Sequence, residues 1–198
     1  MDARSKIVER LRTHRTVNML LDLAPSRKML YRYLSNLRDE GRALVVGRTR
    51  GANGRPQDVW LNRKDKADNI EHNLTVSRLV DAFGMPFLAG PEVDQHLLPD
   101  AEIGQLCVEV DLGSMDGNCM EAKFIRYVDA ERPVIVVTTT EERVKTLLER
   151  GSLLEGWLLC TTLAEALKKG QAKNWKNTVY ALDKVLTKYG SIHEGSTP

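Results

Sequence analysis

Cysteine and histidine are scarce in this chain, and each scarcity closes off a class of chemistry. Cys107, Cys119 and Cys160 are odd in number, widely spaced and without a CxxC pair. That excludes a disulfide framework and a cysteine-built zinc site, and it points to a reducing, cytoplasmic setting. His14, His72, His96 and His193 show no ligand spacing, so a structural role is assigned to each. No apolar run approaches the roughly 18–20 residues of a membrane span, so no transmembrane helix is expected. The opening MDARSKIVERLRTHR lacks the apolar segment of a secretory signal. Ser114 in GSMDG has no nucleophile-elbow context, and Gly51 and Gly54 do not build a phosphate-binding loop. Net charge is only +2, so any nucleic-acid surface must come from local asymmetry.

What is present is ordinary globular composition, 42% apolar and 28% charged over 198 residues, enough for one large domain or two small ones. The charge is divided. Within residues 1–66 Arg and Lys far outnumber Asp and Glu, and the remainder is acidic on balance. This predicts a basic module, 1–66, an α/β module, 67–190, and a flexible tail, 191–198. Ser5 to Arg15 reads as a first helix and Val17 to Leu23 as a short second one. Ser26 caps a third, Arg27 to about Glu40, ended by Gly41. Leu30, Tyr33, Leu34 and Leu37 share its buried face; Arg27, Lys28, Tyr31, Arg32 and Ser35 lie opposite. Two strands follow, Ala43–Arg48 and Asp58–Leu61, flanking the basic loop TRGANGRPQ. Three helices and a basic hairpin make the order of a winged helix-turn-helix. Its third helix would enter the major groove of double-stranded DNA, with Arg48, Arg50 and Arg55 of the wing on phosphate. The same pattern also fits a solvated face or a protein-docking module.

NRKDKAD, 62–68, suits a linker. After it the sequence predicts a helix over 68–83, one or two short strands in 86–98 and a strand at Leu106–Asp111. A helix at Asn118–Asp129, a buried strand in PVIVVT and a helix at Glu141–Arg150 come next. Last are a strand at Gly156–Cys160, a helix at Leu163–Lys169 and an amphipathic helix at Asn174–Tyr189. The fold class is α/β with a mixed central sheet. On the final helix Trp175, Val179, Leu182, Leu186 and Tyr189 form a stripe suited to core packing or to a homodimer contact. Glu109 and Asp111, two apart on one strand, project to the same side, and Asp100 could lie opposite them. Three such acids would repel unless a divalent cation, Mg²⁺, neutralised them. Alternatively Asp100 caps a turn after Pro99, and Glu109 and Asp111 pair with Lys123 and Arg126.

The segments EHNLTVSRLVDAF, LLPDAEI, CVEVDLGSMD and MEAKFIRY resemble the replication-relaxation family of plasmids and other mobile elements. The most specific part is the order Pro99-Asp100, Glu109-Val110-Asp111, Gly113-Ser114, Lys123 and Tyr127. The resemblance, over about residues 5–170, implies a winged helix joined to a restriction-endonuclease-like, PD-(D/E)xK domain. It implies Asp100 and Glu109 as metal-ligand acids, with Glu71 a further candidate. Asp111 stands where that pattern has lysine, and Lys123 on the next helix is the candidate to replace it. The function implied is a DNA-binding protein of a plasmid, phage or integrative element, acting in replication, mobilisation or transcriptional control. A Mg²⁺-dependent endonuclease or nickase and a protein-interaction adaptor are the alternatives.

Overall fold

A computed structural model of the chain describes residues 1–51, 53–63, 69–84, 87–90, 93–113, 115–151 and 158–190. The expected tail, most of the linker, Ser114, Pro86 and His193 lie outside the described residues. The fold is mixed α/β and divides into two compact units, Met1–Ser77 and Arg78–Pro198.

The first unit runs α1 (Ala3–Arg10), β1 (Arg15–Thr16), a 3-10 helix (Val17–Leu23), α2 (Arg27–Asp39), β2 (Leu44–Arg50) and β3 (Pro56–Leu61). Its three strands order β1-β3-β2, all antiparallel. The first helix stops at Arg10, short of the expected Arg15. Arg15 and Thr16 leave it to pair with Trp60 and Val59 of β3, which supply backbone partners that a further helical turn would forgo. Ser26 caps α2, its hydroxyl accepting from the Met29 N–H at 3.2 Å. Gly41 ends it at φ +71°, a left-handed conformation that favours glycine. Leu30, Leu34 and Leu37 pack with Ile7, Leu11, Val17, Leu20 and Trp60 into one core. Complete burial of each such leucine contributes roughly 2–3 kcal/mol.

The unit reaches past the expected boundary at 66, because α3 (Ile70–Phe83) starts within it. Arg15 explains why. Its side chain is buried, and its guanidinium donates to the Arg10 carbonyl at 3.1 Å and to the Ser77 carbonyl at 2.8 Å. A buried cation without those acceptors would be strongly unfavourable.

The second unit holds a seven-stranded mixed sheet, ordered β10-β9-β8-β7-β6-β5-β4. The strands are β4 (Leu88–Ala89), β5 (Ala101–Ile103), β6 (Leu106–Asp111), β7 (Val134–Thr138), β8 (Leu158–Thr162), β9 (Gln171–Lys173) and β10 (Val179–Ala181). β6, β7 and β8 are parallel; the other neighbours are antiparallel. The helices α4 (Gly117–Asp129) and α5 (Glu141–Arg150) are the two parallel crossovers. Crossovers of one hand, stepping the same way along a sheet, cover the same face. Met120, Phe124 and Tyr127 of α4 and Val144, Leu147 and Leu148 of α5 accordingly share a core with Cys107, Val134, Val136, Leu158 and Cys160. A short α6 (Leu163–Leu167) and α7 (Leu182–Gly190) complete the unit.

The chain's end departs from expectation. Residues 174–181 are not helical. Asn174 bonds Thr178 twice, through its backbone N–H and its side-chain oxygen, and Asn177 takes φ +58°, so the segment turns into β10. β9 and β10 form a hairpin that the helical spacing of Trp175, Val179 and Leu182 concealed. Leu182 and Leu186 of α7 are buried inside the unit, so of the apolar stripe only Val179 is left widely exposed. The strand expected at 156–160 is described from Leu158 to Thr162.

Candidate functional site

Two groups of side chains stand out, one in each unit. In the first unit α2 turns its leucines inward, which leaves Arg27, Lys28, Tyr31 and Arg32 exposed on the other side. The β2–β3 hairpin adds Arg48, Arg50 and Arg55, all exposed. A cavity of about 500 Å³ opens between helix and hairpin, lined in part by Arg27, Tyr31, Arg48 and Arg55. Arg27 donates to the Asn18 side chain at 2.7 Å, and Arg48 pairs with Asp58 at 3.0 Å. Lys28, Arg32, Arg50 and Arg55 have no acidic partner among the described residues. Elsewhere in this unit Arg4 is answered by Glu40, Arg10 by Asp22, Arg12 by Glu9 and Arg38 by Asp39. Lys6 on α1 and Arg63 after β3 also lack an acidic partner among the described residues, and Arg63 donates to the Arg12 carbonyl at 2.9 Å, so the unanswered cations gather on the face of α2 and the hairpin without being confined to it. Glu71 belongs to this unit and accepts from the Thr49 hydroxyl.

In the second unit the acids form a row along the sheet rather than a cluster. Glu102 on β5 and Glu109 and Asp111 on β6 are all buried. Glu102 pairs across the ladder with Cys107, so it shares a face with Glu109 and Asp111, the face that α4 and α5 cover. Each has its own cation. Arg132 donates to Glu102 at 2.8 Å, Lys123 to Glu109 at 2.5 Å, and Arg143 to Asp111 at 2.6 Å. The Tyr127 hydroxyl, one turn beyond Lys123, donates to the other oxygen of Glu109. The second oxygen of Asp111 accepts from the Gly113 N–H at 2.9 Å, and Arg143 also reaches the Met115 carbonyl at 2.7 Å. Asp100 stands just before β5 and accepts from the Val110 N–H at 2.7 Å.

Asp100 and Glu109 are brought near each other, and Lys123 joins them from the second turn of α4. Burial first, and then the charge of Asp100, push the Glu109 carboxyl up to about 7, against the pull of Lys123 and Tyr127. Burial likewise pushes the Tyr127 hydroxyl up, which keeps it a donor to Glu109.

In this geometry the three acids of the expected metal set are engaged separately. Both oxygens of Glu109 and both of Asp111 already accept from protein donors, and Asp111 faces Arg143 instead of Asp100. Among the described residues no group of three His, Cys, Asp or Glu side chains lies close enough to hold one ion. Mg²⁺ does not fit the arrangement as it stands, and Arg143 replaces Arg126 as the partner of Asp111. Arg143 was missed in the sequence, yet a signal was there. A cation in the first turn of a helix opposes the helix dipole and calls for a separate anion. A helix entered from the carboxyl end of β7 starts beside the carboxyl end of β6, where Asp111 sits opposite Thr138.

Comparison of the chain with protein-family models, with curated proteins and with solved structures gives no match. Among the described residues no helix is long and apolar enough to cross a membrane.

Proposed function

We propose that the chain is a duplex-DNA-binding protein whose first unit is a winged helix and makes the contact. The observation that carries this reading is the gathering of four exposed cations without an acidic partner among the described residues, Lys28, Arg32, Arg50 and Arg55, on the face made by α2 and the β2–β3 hairpin. The element order, with β1 pairing β3 to close a three-stranded sheet, is the one a winged helix requires. α2 then enters the major groove, where Lys28 and Tyr31 meet base edges. Arg50 and Arg55 neutralise phosphates from the hairpin. In the second unit, the order Asp100, Glu109, α4 and β7 supports a restriction-endonuclease-like ancestry. The pairing of Glu109 with Lys123 and of Asp111 with Arg143 supports a role in shape and assembly rather than cutting. Service to a plasmid, phage or integrative element is proposed on the family resemblance alone.

The test is binding of the full chain to duplex DNA across a salt series. Neutralising Arg50 and Arg55 together should weaken binding to every duplex and reduce the salt slope by about two. Lys28→Ala should instead change preference among sequences. Unchanged affinity and slope in the double variant would overturn the assignment. Metal-dependent plasmid nicking that disappears in Glu109→Gln would overturn the non-cutting role of the second unit.

A further inference from the structure

The far edge of the large sheet offers a second surface, independent of the DNA reading. β10 is the last strand, and its three residues are exposed. In an antiparallel pair the hydrogen-bonded positions alternate. Asn174 bonds Thr178, and Leu182 bonds Gly170, in the β9–β10 hairpin. Counting by twos from either end, Tyr180 is the residue turned to β9. Val179 and Ala181 therefore present their N–H and C=O groups outward, with no strand beyond them among the described residues.

Beside this edge lies a groove of about 500 Å³ between β10, α7 and the ends of β7 and β8. Its lining includes Leu159, Val179, Val185 and Tyr180, with Lys184 and Lys188 along α7, and no acid among the described residues lines it. Neither lysine has an acidic partner among the described residues. Lys188 rests over the Tyr189 ring, and nearby Lys176 over the Trp175 ring. The second unit is acidic on balance, so a basic, apolar groove at an open strand edge stands against the charge of its surroundings.

We propose that this edge and groove dock an extended acidic peptide segment of a partner protein. The segment adds beside β10, exchanges backbone hydrogen bonds with Val179 and Ala181, and sets alternate apolar side chains beside those two residues at the mouth of the groove. Its carboxylates meet Lys184 and Lys188. A nucleic-acid backbone suits this edge less well, because its phosphates offer no donor to the outward carbonyls. A second copy fits less well: a two-fold pairing of β10 with itself would bring like-charged lysines of both copies to one interface. Residues 191–198 carry a single acid, Glu194, and no alternation of acid and apolar residues.

The experiment is selection of displayed random twelve-residue peptides on the full chain, followed by fluorescence polarisation with the selected peptide. Winning sequences should alternate apolar and acidic residues. Lys184→Glu with Lys188→Glu should weaken binding at least tenfold, and a peptide with its acids changed to lysine should recover it on that variant. Val179→Pro, which removes an outward N–H and leaves the Tyr180 pairing intact, should also weaken binding at least tenfold. Circular dichroism shows whether each variant folds, and the charge-swap arm stands even if the proline variant does not. The proposal is overturned by peptides without acid enrichment, or by equal affinity for the charge-reversed protein. It is equally overturned if an oligothymidylate displaces the peptide, or if β10 is found to mediate self-association in sedimentation.

Discussion

Glu109 is the residue whose surroundings make the sharpest demand. Its carboxyl titrates at about 7 in the folded protein against 4.5 ordinarily, so between those values the folded state holds the proton more tightly than the unfolded chain. The stability this confers is complete below about pH 4.5 and is lost as pH rises through 7. Glu109→Gln keeps a neutral side chain that still accepts from Tyr127. Relative to that variant, the native protein should lose about 2–3 kcal/mol between pH 5 and pH 8. Urea unfolding of both proteins at the two pH values checks this; a difference independent of pH would refute it. Asp111 behaves differently, because its cation comes from another helix. Arg143→Met leaves a buried carboxylate facing only the Gly113 N–H and should cost about 3–5 kcal/mol. Asp111→Asn should cost less, because the guanidinium it releases is a quarter exposed and can turn to water.

At the scale of elements, α2 is where the proposed DNA binding would depend on stability. Its exposed face works only if its first turn holds Arg27 and Lys28 in place, and Ser26 is what holds it. Ser26→Ala should lower stability by about 1 kcal/mol in thermal unfolding. It should weaken DNA binding in the same proportion for all sequences, since it displaces the helix start without removing a base contact. A variant that lost affinity for one sequence alone would place Ser26 at the DNA instead. The β5–β6 turn shows the converse case, an element placed by another. Gly104 sits at φ +55°, and a Cβ there would come within 2.3 Å of the Tyr189 carbonyl at the end of α7. Glycine is needed because two chain segments meet at that point.

For the whole molecule, the boundary between units is a physical question that Arg15 settles. A fragment of residues 1–66 lacks the Ser77 carbonyl that receives its guanidinium, and also lacks Leu74, which is fully buried. A fragment ending at Gly84 keeps both. The longer piece should fold and bind DNA alone, and the shorter should be less stable by about 3–5 kcal/mol, enough to unfold a domain this small. Circular dichroism and DNA titration of the two fragments decide it. Equal stability would mean that α3 is dispensable to the first unit.

Local pattern alone determined a good part of this protein. The span of α2 and its two faces, β6 from Leu106 to Asp111, the buried run of β7 and α5 from Glu141 to Arg150 were all legible. Each depends on the spacing of apolar residues and on a cap or glycine a few positions away. The projection of Glu109 and Asp111 to one side was legible for the same reason, since alternation is a property of a single strand. The tertiary structure decided the rest. Trp175, Val179 and Leu182 have helical spacing, yet an edge strand became available at β9, and pairing with it outweighed one more helical turn. Asp111 meets Arg143, 32 residues on, and Arg15 meets Ser77, 62 residues on. Such partners follow from the hand of a crossover and from which elements share a core. Neither is carried by neighbouring residues, and so Glu109 and Asp111, two of the acids that read as a metal cluster, are held in the fold by separate cations, Lys123 and Arg143.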